Sequence, residues 1–127
     1  MVNKVFIIDD DPISILDTET MMRKNDYGNE IKTFEEPKAA LEIFKKEYSW
    51  DDGLPDYFFL DVQMPEINAW QFLEHYEKLH PSIADKQHVI LLSATFNPED
   101  ESKAKSHPMV LELITKPVNG TILERLK

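Results

Sequence analysis

Tyr57-Phe58-Phe59-Leu60-Asp61-Val62-Gln63-Met64-Pro65 decides how this chain is read. Four bulky apolar residues run straight into a carboxylate. A run this short and aromatic reads as a strand covered on both faces. Pro65 cannot continue a central strand, so the strand ends between Asp61 and Pro65. A carboxylate at that point stands on the rim of the core, where charge is tolerated. In open α/β sheets, sites form outside the carboxyl ends of the strands. Asp61 is therefore the first candidate functional residue, and the question is what else reaches the same rim.

Upstream, Lys4-Val5-Phe6-Ile7-Ile8 is a short β-rich run ended by Asp9-Asp10-Asp11-Pro12. Pro12 suits the first turn of a helix, and acids before it suit the helix dipole. This helix is expected from about Pro12 to Lys24, with Ile13, Leu16 and Met21 or Met22 turned inward. Residues 25–29 form a loop, and Glu30 to Phe34 reads as a weak second strand. Pro37 opens a second helix to about Tyr48, with Ala40, Leu41, Phe44 and Tyr48 as its apolar face. A polar loop, Ser49 to Asp56, leads to the Asp61 strand.

Downstream, a turn through Ala69 opens a third helix striped by Phe72, Leu73, Tyr76 and Leu79 and ended by His80-Pro81. Trp70 and Tyr76 read as packing residues, not ligand contacts. His88 to Leu92 is a fourth strand, delivering Ser93-Ala94-Thr95. Pro98 to Ser106 is a charged helix. Val110 to Ile114 is a fifth strand, delivering Thr115-Lys116-Pro117, and Asn119 to Leu126 is a last helix capped by Asn119 or Thr121. Strand and helix alternate five times without repeats or linkers. That pattern argues for a doubly wound α/β fold, a parallel sheet with helices on both faces.

At 127 residues with 42% apolar content, the chain reads as one globular domain. Its net charge of −10 disfavours unaided binding to nucleic acid or an anionic membrane. The absence of cysteine excludes disulfides and thiolate metal sites. The apolar run Val5 to Ile8 is too short for a signal peptide or a membrane span, so a cytoplasmic location is expected. His75, His80, His88 and His107 show no metal-binding spacing and read as surface or edge residues.

Parallel strands end on one rim. Here that rim receives Asp9, Asp10 and Asp11, then Asp61, then Ser93 and Thr95, then Thr115 and Lys116. Taken singly, Ser93 could cap a helix and Lys116 could be a solvated lysine. Three adjacent acids exceed what a helix cap needs, and they repel one another unless a cation or proton relieves them. Acids, a hydroxyl and a lysine together suit phosphoryl transfer to a carboxylate, with Asp61 as the nucleophile. Mg²⁺ prefers one or two carboxylates plus phosphate and water. Asp10 and Asp61 are the expected ligands, with Asp9 reaching the ion through water. Ser93 can donate to one phosphoryl oxygen, and Lys116 can neutralise another.

These residues resemble the receiver domains of two-component response regulators. The resemblance rests on Asp9-Asp10 after the first strand, Asp61-Val62-Gln63-Met64-Pro65, Ser93-Ala94 and Lys116-Pro117, in that order and spacing. It covers essentially the whole chain, residues 1–127. It implies a flavodoxin-like (βα)5 sheet ordered 2-1-3-4-5. It further implies phosphorylation of Asp61 by a sensor histidine kinase or phosphotransfer protein, a backbone carbonyl from Gln63 on Mg²⁺, and a cis Lys116-Pro117 bond. Such a module catalyses its own phosphorylation and dephosphorylation without being a conventional enzyme. It signals by protein contacts to a downstream protein target, as a monomer or weak dimer, without touching nucleic acid or membrane. The sequence departs from the family's pattern in three ways: Ala69 stands where a turn glycine is usual, Leu113 where an aromatic is usual, and the last helix is short.

An acid-phosphatase-like enzyme would need a second aspartate two residues after the nucleophile, and Gln63 cannot transfer that proton. A flavin binder would need a phosphate-cradling loop after the first strand, which three aspartates oppose. The remaining alternatives are a receiver cut from a longer regulator and a pseudo-receiver that acts only as an interaction module.

Overall fold

The strand read around Phe58 is β3 (Tyr57–Asp61), and it lies at the centre of the sheet. The computed structural model describes residues 2–46, 55–79, 81 and 86–127. The other elements are β1 (Lys4–Ile8), α1 (Pro12–Lys24), β2 (Glu30–Phe34), α2 (Pro37–Lys46), α3 (Ala69–Leu79), β4 (Val89–Ser93), α4 (Pro98–Ser106), β5 (Val110–Thr115) and α5 (Gly120–Arg125). All strand pairs are parallel, in the order β2-β1-β3-β4-β5. The expected order and alternation are thus both found. The end expected for the second helix at Tyr48, most of the following loop, and His80 lie outside the described residues.

The central strands are apolar throughout because each face meets a different helix layer. Phe6, Ile8, Phe58, Leu60, Val89 and Leu91 face one core with Phe44, Phe72 and Tyr76. Val5, Ile7, Phe59, Ile90 and Leu92 face the other, with Met22, Tyr27 and Leu123. Successive residues of a strand point to opposite faces, so two cores need an unbroken apolar run. The first core is largely aromatic. Phe58 meets Tyr76 edge-on at 4.8 Å between centroids and Phe44 at 5.2 Å, distances at which edge-to-face rings attract.

Helix starts follow local chemistry. Asp11 accepts a hydrogen bond from the Ile13 N–H at 3.0 Å, with Pro12 opening α1. Asn97 caps α4 by accepting from Glu99 N–H at 2.9 Å. Asn119, not Thr121, caps α5, accepting from Ile122 N–H at 2.9 Å.

Three side-chain placements differ from the sequence reading. Ile13 and Leu16 are 69% and 63% exposed, not inward-facing. The buried stripe of α1 is Ile15, Thr18 and Met22, and its small polar Thr18 hides the periodicity. Leu79, in the last turn of α3, is exposed, while Phe72, Leu73 and Tyr76 are buried as expected. His88 is buried, not superficial. Its ring lies 5.6 Å from Phe58 and 5.8 Å from Tyr76, and Nδ1 is 2.6 Å from the Lys86 carbonyl. The backbone explains this, since His88 N–H donates to Met109 and its carbonyl accepts from Phe58, inside the sheet ladder.

Candidate functional site

The carboxyl ends of β1, β3, β4 and β5 meet where the sequence places them. Val62 N–H donates to the Leu92 carbonyl at 2.9 Å, and Lys116 N–H to the Ser93 carbonyl at 2.8 Å. These backbone bonds hold Asp61, Ser93 and Lys116 at one level. Asp9 N–H donates to the Phe34 carbonyl at 3.0 Å, which extends β1 by one residue and carries its side chain inward. Asp9 is only 1% exposed. Its Oδ1 accepts from Asp11 N–H at 3.0 Å, and its Oδ2 lies 2.8 Å from Lys116 Nζ. Lys116 Nζ also lies 3.2 Å from Asp61 Oδ1.

Electrostatics follow from this crowding. Burial first, then the charge of Asp9, raises the Asp61 pKa from 3.8 to about 6, against the opposing pull of Lys116. Burial works against the Lys116 charge, but hydrogen bonds and attraction from Asp9 and Asp61 outweigh it and hold its pKa above the usual lysine value. Carboxylate oxygens of Asp9, Asp10 and Asp61 all lie within 4.8 Å of one another, with Asp10 exposed and the other two buried. Such a set of hard oxygen donors, one of them open to solvent, fits a divalent cation that keeps part of its water shell.

The acids open into a cleft of about 250 Å³, also lined by Gln63, Ser93, Thr95, Asn97, Asp100 and Lys116. Of the rim residues named from the sequence, Asp9, Asp10, Asp11, Asp61, Gln63, Ser93, Thr95 and Lys116 line this one cleft, and Thr115 does not. Ser93 is half-buried, and its hydroxyl donates to the Thr95 carbonyl within its own loop. Asn97 and Asp100 were not singled out as site residues. They line the cleft because α4 starts directly beside it, and the polar run Asn97-Pro98-Glu99-Asp100 after a strand end was the available signal.

The departures from the family pattern have local answers. Ala69 is the first residue of α3, buried, and its N–H donates to the Val62 carbonyl at 3.0 Å. The turn's left-handed residue is Glu66, with φ of +70°. Alanine at 69 therefore carries no strain. Lys116-Pro117 is cis, as expected. Leu113 is half-buried against the aromatic core.

With this geometry in view, the sequence pattern of the response regulator receiver domain matches residues 5–126. The chain belongs to that family, the receiver domains of two-component systems. Among solved structures, it resembles a two-component response regulator from Cytophaga hutchinsonii, with 28% identity, a TM-score of 0.87, and 98% of this chain and 93% of that one covered. A response regulator receiver protein from Dyadobacter fermentans gives 26% identity and a TM-score of 0.82, covering 97% and 93%. Among curated proteins, it is 31% identical over 78 residues to a protein-glutamate methylesterase/protein-glutamine glutaminase of Vibrio vulnificus, covering 61% of this chain and 21% of that protein. A Burkholderia thailandensis protein of the same description is 25% identical over 115 residues, covering 90% and 29%. The chain thus spans under a third of the curated relatives it matches. Among the described residues, no helix is long and apolar enough to cross a membrane.

Proposed function

We propose that this chain takes a phosphoryl group on Asp61 from the phosphohistidine of a sensor kinase or phosphotransfer protein. The observation that carries this reading is the buried Asp61 carboxylate, flanked by Asp9, Asp10 and Lys116 in one cleft. An Asp61 oxygen attacks phosphorus, the P–N bond breaks, and its electron pair returns to the donor imidazole. Hydrolysis later restores the carboxylate when water attacks phosphorus and the P–O bond breaks.

Asp10 and Asp61, with the Gln63 backbone carbonyl, would hold Mg²⁺, and Asp9 would reach it through water. The ion supplies positive charge against the carboxylates and the incoming phosphoryl oxygens. Lys116 is placed to neutralise a phosphoryl oxygen, at the cost of loosening its hold on Asp9 and Asp61. Ser93 can turn its hydroxyl from the Thr95 carbonyl to a phosphoryl oxygen. The domain would span residues 1–127, act in the cytoplasm and signal through protein contacts, consistent with a net charge of −10. The test is phosphotransfer from candidate kinases in Mg²⁺, with Asp61→Asn as the control that must stay unlabelled.

A further inference from the structure

His88 takes no part in the Asp61 cleft, yet it is the one histidine that the fold buries among the described residues. The Lys86 carbonyl, 2.6 Å from Nδ1, can only accept, so Nδ1 carries the ring's proton. Nε2 is left as a bare acceptor, buried and with no hydrogen-bond partner. The imidazole is flanked by Phe58 from β3 and Tyr76 from α3, tilted to it by 53° and 57°. These rings join Phe44 and Phe72 in one aromatic cluster. While neutral, the imidazole serves there as one more ring. A proton added at Nε2 brings charge into this core, with no acceptor for the new N–H.

No neighbouring group offsets that charge among the described residues. Lys86 is the charged side chain whose field reaches the ring, and it opposes a second positive charge. Tyr76 on α3 offers no anion, since burial holds its phenol pKa well above the usual tyrosine value. Phe58 on β3 and Met109 ahead of β5 are uncharged. Burial therefore outweighs the hydrogen bond to Lys86 and holds the His88 pKa below its usual 6.5.

We propose that His88 is an acid-sensitive latch between α3 and the start of β4. A proton from solvent adds to Nε2 while Nδ1 keeps its own, and the charged ring leaves the aromatic cluster for water. The backbone at this point belongs to the sheet. His88 N–H donates to the Met109 carbonyl at 3.1 Å, and its carbonyl accepts from Phe58 N–H at 3.0 Å. Departure of the ring loosens both bonds and uncovers Phe58 and Tyr76. The opening is local, because the core on the other face, with Met22, Tyr27 and Leu123, keeps its packing. An open histidine takes its proton at about 6.5 and the closed one only below that, so the latch holds above pH 6.5 and yields as pH falls. Phe58 lies on the strand that ends at Asp61, so the latch ties proton activity to the footing of that strand. This inference is independent of the phosphoacceptor reading.

The test takes the metal-free full chain from about pH 7.5 to about pH 5. NMR of the imidazole nitrogens follows the His88 titration, and amide hydrogen exchange follows the opening. Corrected for intrinsic exchange, the opening constants at the Phe58, His88 and Val89 amides should rise as pH falls. The rise should approach roughly tenfold per pH unit, the limit for uptake of one proton. Tyr27 N–H, bonded to the Met22 carbonyl at 2.8 Å beside the other core, should not follow. His88→Phe keeps an uncharged ring, and His88→Asn keeps a donor for the Lys86 carbonyl; either should abolish the pH response. Protonation of Asp61 cannot mimic the effect, because it favours the folded state. His107 is also held low by burial, and its Nδ1 accepts from Met109 N–H at 3.2 Å, but it remains in both variants. A response that survives the variants therefore belongs to His107 and overturns the latch. So does a rise that Tyr27 shares in full, which is global unfolding. Opening constants that stay level with pH, or a His88 that titrates at or above 6.5, overturn it too. These last two readings come from the unaltered chain and decide the matter even where neither variant folds.

Discussion

Lys116 reaches Asp9 across 107 positions of sequence and holds it at 2.8 Å, closer than the 3.2 Å it keeps from Asp61. The lysine is therefore shared, and its nearer partner is the buried acid that no solvent screens. Without added cation, this one ammonium is what makes the acid cluster tolerable. Lys116→Ala should therefore lower metal-free stability by about 1–3 kcal/mol, since it leaves Asp9 and Asp61 to repel one another. Mg²⁺ should restore part of the loss. Thermal melts with and without Mg²⁺ check this, and an equal response to the ion in both proteins would count against it.

The raised Asp61 pKa gives a pH dependence with a definite sign. The carboxyl titrates at about 6 in the folded chain and near 3.8 unfolded. The folded state thus binds the extra proton, and the stability this provides is complete below pH 4 and lost as pH rises through 6. In metal-free protein, Asp61→Asn should be more stable than the unaltered chain at pH 7, by about 1–3 kcal/mol, with the gap closing near pH 4. Denaturant melts of both proteins at the two pH values read the gap directly. A gap that widens on acidification would reverse the sign and refute the assignment.

Glu66 holds a left-handed φ of +70° in the turn after β3. Its carboxylate reaches Lys38 at 3.2 Å, but both side chains are mostly exposed, so that ion pair contributes little. Glu66→Gly should relieve the backbone and stabilise the fold by about 0.5–1 kcal/mol. A destabilised variant would mean the ion pair outweighs the backbone term.

Much of this architecture could be read from the sequence, for physical reasons. Unbroken apolar runs at Val5–Ile8 and Phe58–Leu60 mark strands covered twice, and the structure finds a separate core on each side. The acids, Ser93 and Lys116 could be grouped because parallel strands leave no other rim for their ends. Side-chain facing on α1 was less legible. Ile13 and Leu16 lie on the outer face of a helix whose buried stripe contains a threonine, so apolar spacing pointed the wrong way. His88 carries no pattern of its own, and its burial comes from backbone pairing just ahead of β4. Nor did the sequence show which turn residue takes the positive φ, because glutamate rarely marks that position.

Leu113 bears on how a signal leaves the site. It packs half-buried against the aromatic core and has no polar tip to anchor a second orientation. A ligand shifts an equilibrium only through its differential affinity for the two states. Little contact is available to exchange at Leu113, so hydrogen-exchange changes on adding beryllofluoride should fall between Ser93 and Ser106. β5 and α5 should change little. Strong changes around Leu113, matching those of a Leu113→Tyr variant, would show that the response runs through β5 after all.

The central claim is that Asp61 accepts a phosphoryl group with a divalent ion held by its neighbours. Intact-protein mass spectrometry after incubation with a small acyl-phosphate donor tests it most directly. The account predicts a gain of one phosphoryl group in Mg²⁺, placed on Asp61 by peptide mapping, and none in chelator or in Asp61→Asn. Labelling that persists in Asp61→Asn, or that proceeds equally well without a divalent ion, would contradict it.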